Sequence, residues 1–194
     1  MARAFILLVF LGSLRSTQAQ VPYVEAENEV LITYFDTIVP TDLYKRVKGY
    51  FYSPAFKQAT IYVEPQLTEF SRADRTGALC YYYDEDLIAR IGDELWGLVG
   101  TGCADSLLKA RPFPFDQLPR RPKRHVAPKD ETVTPDKIKI QASFSRVVLD
   151  STRTHAIFFA EFSCEGLCGH GVFHFLRKVD GRWRTVFTKQ TWVS

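Results

Sequence analysis

Cys164, Cys168, His170 and His174 fall within eleven residues and supply two sulfurs and two imidazoles, the ligand types of a tetrahedral zinc site. His170 and His174 lie four apart, so on one strand they share a face. Two observations favour disulfides over zinc. Zinc-finger spacing puts a longer stretch between the cysteine pair and the histidines, and the chain opens with an export signal. An even set of cysteines (Cys80, Cys103, Cys164 and Cys168) in a chain sent to an oxidising compartment reads as disulfides. Of the three connectivities, Cys164 with Cys168 across a glycine-containing turn, leaving Cys80 with Cys103, is the expected one. It requires a turn that brings the α-carbons within about 7 Å. No cofactor is expected.

Other chemistry is thinner. The chain has no G-x-S-x-G serine elbow. Paired carboxylates occur at Asp84-Glu85-Asp86 and Asp93-Glu94. Acid/base work needs one carboxyl in an apolar setting, and helix-cap and surface roles compete. The glycines of Gly97-Leu98-Val99-Gly100-Thr101-Gly102 and Gly166-Leu167-Cys168-Gly169-His170-Gly171 lack the strand-to-helix context of a phosphate loop and read as tight turns. Arg120, Arg121, Lys123 and Arg124 form a cationic cluster able to meet an anionic glycan, a lipid surface or an envelope protein, unless the loop is merely solvated. Tyr50 and Tyr52, with Tyr44, Phe51, Phe56, Tyr62 and Tyr81 to Tyr83, are candidates for stacking on sugar rings or a protein partner, with core packing as the competing role.

These residues need elements to hold them. Residues 1–19 have the layout of a signal peptide: Arg3, the apolar run Phe5 to Leu11, and small residues ending at Ala19. That run is shorter than the roughly 20 residues of a membrane span, so a secreted or periplasmic chain without a transmembrane segment is expected. Residues 20–194 read as a single domain. Without Arg3 and Arg15 the chain has 23 basic and 22 acidic residues, which is not the balance of a nucleic-acid-binding domain. Val30, Leu31, Tyr34, Phe35 and Ile38 are at helix spacing over Glu25 to Ile38, and Thr60 to Val63 reads as a strand ended by Pro65. Leu79 to Tyr83 reads as another strand, followed by a helix with Leu87, Ile88, Ile91, Leu95 and Trp96 on its buried face. Residues 111–135 hold six of the ten prolines and read as a long basic loop. From Ile138 onward four strands form an antiparallel meander, with Asp150-Ser151-Thr152 and Asp180-Gly181 as turns. Ala156 to Phe162 is apolar on both faces until Glu161, as for a central strand with a helix over one side. The fold class is α+β, with the meander packed on the N-terminal helix.

Ser145-Arg146-Val147, Cys164 to Gly171, Asp180-Gly181-Arg182-Trp183 and the terminal Trp192-Val193-Ser194 resemble a loose group of exported bacterial proteins of uncharacterised function. That group ends in a glycine-rich hairpin, a G-x-W and a W-[VI]-S. The resemblance covers roughly the last third of the chain, implies bacterial export and an α+β domain of the cystatin or nuclear-transport-factor type, and assigns no catalytic residue. The expected function is a non-enzymatic binding or interaction module in the envelope or outside the cell. The alternative is an envelope hydrolase using acidic residues or the Cys/His set.

Overall fold

The computed structural model describes residues 23–38, 60–70, 85–101, 108–118, 126–129, 139–164 and 168–193. The first helix, α1, covers residues 23–33 and widens into a π-helical turn over Tyr34–Ile38. Tyr23, Glu27, Val30, Leu31, Tyr34 and Phe35 are buried at intervals of three and four, so one stripe of the helix meets the sheet.

Among the described residues seven strands form the main sheet and two more form a ribbon of their own. Strands β1 (Thr60–Val63), β4 (Val126–Pro128), β5 (Lys139–Phe144), β6 (Val148–Leu149), β7 (His155–Cys164), β8 (Cys168–Val179) and β9 (Arg182–Val193) build it in the order β4-β1-β5-β7-β8-β9, with β6 also on β7. The ribbon pairs β2 (Gln66–Leu67) with β3 (Arg111–Pro112). From β5 to β9 the strands are antiparallel, as the alternation from Ile138 predicts. Asp180 and Gly181 both have positive φ (51° and 73°), the conformation of a type I′ hairpin turn.

Two features differ from the sequence expectation. The segment expected to be one long irregular loop supplies β3, a short 3-10 turn at Phe115–Gln117, and β4, which runs parallel to β1. A three-residue strand ending in proline has no room for alternation, and its edge position is where a missing proline N–H is tolerated. The glycines at Gly97 and Gly100 lie inside a helix, not a turn. That helix, α2 (Glu85–Thr101), breaks at Gly92 (φ 79°, ψ 164°) and buries Ile91, Leu95, Leu98 and Val99.

Strand β7 is covered on both faces, where one helix was expected. Its first face carries Phe158 and Phe162, in register with His174 and His170, and Tyr34 of α1 packs edge-on against Phe158 at 5.0 Å. The second face carries Ile157 and Phe159, in register with Phe175 and Phe173. On this side Arg90 of α2 lies over the Phe187 ring at 5.9 Å. Among the described residues no helix is long and apolar enough to cross a membrane.

Candidate functional site

Between β5 and β6 the chain makes a β-bulge. Phe144 pairs with Ala160 and Val148 with Ile157, four steps against three. The Phe159 N–H donates to Ser145 Oγ at 2.8 Å, so a side chain replaces a ladder carbonyl. The Val147 N–H turns to α1 and donates to Glu27 Oε1 at 2.8 Å. Arg146 Nε donates to the same oxygen at 2.8 Å, and Arg111 Nε to Oε2 at 2.8 Å. Arg111 Nη2 also reaches Asn28 Oδ1 at 2.5 Å, and Asn28 Nδ2 reaches Gln117 Oε1 at 3.0 Å. This buried carboxylate clamps α1 to the bulge and to β3. Both of its oxygens are engaged by charged donors or an amide, which suits a structural anchor and not a proton carrier. Sequence reading missed Glu27 because a lone acid within a helix gives no burial signal.

A second polar group lies just after β6, at the start of β7. Asp150 accepts hydrogen bonds from Thr154 N at 2.8 Å and His155 N at 3.0 Å, and pairs with His155 Nδ1 at 3.2 Å. Partial burial would raise its pKa. The bonds from the Thr152 hydroxyl, the His155 amide and ring and the Thr154 amide outweigh that and lower it from 3.8 to about 2. Arg177 Nε donates to His155 Nε2 at 3.1 Å. An aspartate on one imidazole nitrogen resembles a general-base pair, but Arg177 occupies the lone pair a substrate proton would need.

The alternative Cys/His metal set does not converge at the histidines. Residues four apart on a strand are about 13 Å apart, whereas zinc binds imidazole nitrogen at about 2.0–2.1 Å. His170 stacks on Phe162 with centroids 5.3 Å apart, while His174, buried, stacks on Phe158 at 5.0 Å with its Nε2 3.2 Å from Tyr34 Oη. The α-carbons of Cys164 and Cys168 are register partners across β7 and β8. Asp93 and Glu94 are exposed on α2, with no apolar enclosure. Tyr62 is buried in β1 and offers no platform. The expectations at residues 1–19, Tyr50, Tyr52, Leu79 to Tyr83, Cys80, Cys103, Arg120, Arg121, Lys123 and Arg124 fall outside the described residues.

One surface feature went unnoticed in the sequence. Ser143, Glu161, Gly171 and Trp192 sit side by side on β5, β7, β8 and β9 in one row across the second face. Ser143 Oγ donates to Glu161 Oε2 at 3.0 Å. A β-carbon built on Gly171 would lie 2.2 Å from the indole Nε1 of Trp192 and 2.7 Å from Phe159 Cζ, so the indole rests directly on the glycine. Trp192 nevertheless keeps 38% of its surface exposed. The terminal W-[VI]-S could have flagged this tryptophan; only the register shows what lies beneath it. In the next row Gln141 and Ser163 are paired and exposed. No family model, curated protein or solved structure matches the chain.

Proposed function

We propose that the chain is an exported, non-enzymatic binding module that meets its partner through the Trp192 end of the sheet. The observation that carries this reading is the exposed indole seated on Gly171. An exposed indole packed over a glycine offers a large contact area with a polar N–H tip, and such amphipathic aromatics are enriched at interaction surfaces. The polar clusters around Glu27 and Asp150 support it from the other side, since their hydrogen-bonding atoms are engaged within the fold. Export is part of the same proposal and rests on the segment Met1 to Ala19 and on the four cysteines.

The test immobilises the mature chain and the Trp192→Ala variant, matched by circular dichroism, and exposes both to a solubilised envelope extract. The reading expects at least one component retained by the first and lost by the second. Identical retention, or none by either, overturns it.

A further inference from the structure

The geometry points to a neutral pyranose glycan as the ligand of the Trp192 surface, an inference that rests on the binding-module reading above. Pyranose rings with equatorial hydroxyls present a flat apolar face of C–H groups and a rim of hydroxyls. Such a ligand needs an aromatic plate and a few polar groups beside it. The plate is Trp192, whose indole closes in over Gly171 because that residue has no side chain: a β-carbon there would fall 2.2 Å from Nε1 and 2.7 Å from Cδ1. Phe159 lies on the same face, its Cζ 2.7 Å from where that β-carbon would sit, and packs on Phe173 with centroids 4.9 Å apart, so a second aromatic pair flanks the plate.

The polar rim follows from the register. Glu161 occupies the position beside Gly171 on β7, two strands from Trp192, or roughly 10 Å across the sheet. Its carboxylate is oriented by Ser143, and a carboxylate accepts from two neighbouring hydroxyls at once. Gln141 and Ser163, exposed in the next row, add an amide and a hydroxyl. Charge selects against an anionic ligand: Glu161 is at the centre of the row, and the cation Lys189, in register with Phe173, only balances it. The shape of β9 selects against an added peptide strand. The ladder with β8 shifts register between Gly171 and Val172 and again between Phe175 and Leu176, which breaks the even spacing of backbone groups that strand addition uses.

Titration of the mature full chain with cellohexaose, laminarihexaose and chitohexaose, followed by calorimetry and tryptophan emission, tests the assignment. At least one oligosaccharide should bind saturably. Trp192→Ala should weaken it about 10-fold or more, Trp192→Tyr less, and Glu161→Gln several-fold. Gly171→Ala retains the tryptophan but pushes it off its seat, and should weaken binding to a similar degree as Trp192→Ala while shifting the emission. Val186→Ser, at an exposed bulge position away from the row, should bind as the parent does. Should Trp192→Ala fail to fold, Gly171→Ala and Glu161→Gln carry the same comparison. Absence of binding to all three oligosaccharides, or equal binding by Gly171→Ala and Glu161→Gln, overturns the glycan assignment. Trp192-dependent capture from envelope extract without oligosaccharide binding sinks the glycan alone, whereas capture indifferent to Trp192 sinks the binding-module reading as well.

Discussion

Asp150 holds a whole turn with one carboxylate, gathering the amides of Thr154 and His155 and the hydroxyls of Thr152 and Thr154. Its pKa in the fold, about 2, lies below the 3.8 of the unfolded chain, so unfolding takes up a proton as the pH falls. The stabilisation is complete above about pH 4 and disappears as the pH drops through about 2. Asp150→Asn should lower stability by about 1–2 kcal/mol at pH 7, from the lost charge-assisted bonds. Urea titrations at pH 7 and pH 2 should show that deficit shrinking in acid; a deficit unchanged at pH 2 would assign it to packing instead. The turn itself is legible in Asp150-Ser151-Thr152, because short polar side chains bond to nearby amides. The onward bond between His155 and Arg177 is not, since it depends on β7 and β8 lying side by side.

Gly92 plays a comparable part for an element. Its φ of 79° and ψ of 164° are open to glycine and strained for other residues, and they let α2 change direction over the second face of the sheet. Gly92→Ala should cost about 1–3 kcal/mol in urea denaturation, with little change in helix content by circular dichroism. A variant as stable as the parent would mean that the helix straightens without loss. The buried stripe of α2 was readable at Ile91 and Leu95, whereas Leu98 and Val99 were hidden by glycines that pointed to a turn. Tertiary burial overrode local propensity there. For α1 the apolar spacing was sufficient, and the structure adds Tyr23, whose hydroxyl donates to the Val147 carbonyl at 2.6 Å.

Across the whole molecule, α1 and the C-terminal meander depend on one another although more than a hundred residues separate them in sequence. Removing residues 1–38 would leave Arg146 and Arg111 without Glu27 and would uncover Phe144 and Phe158. Breaking a buried ion pair from one side costs about 3–5 kcal/mol before any packing loss, a large share of a domain's stability. The chain from residue 39 onward should therefore show a collapsed proton NMR spectrum and no cooperative melt; sharp, dispersed amide signals would refute that interdependence. The sequence by itself determined the α+β class, α1, the antiparallel meander and the Asp180-Gly181 hairpin, because periodicity and turn chemistry are local properties of neighbouring residues. The tertiary structure alone decided the strand β4, the parallel pairing of β1 with β4 and β5, the Glu27 clamp, the separation of His170 from His174 and the seat of Trp192 on Gly171. Each of these depends on which strands become neighbours and in what register, and a register is settled by burial over the whole sheet rather than by any one segment.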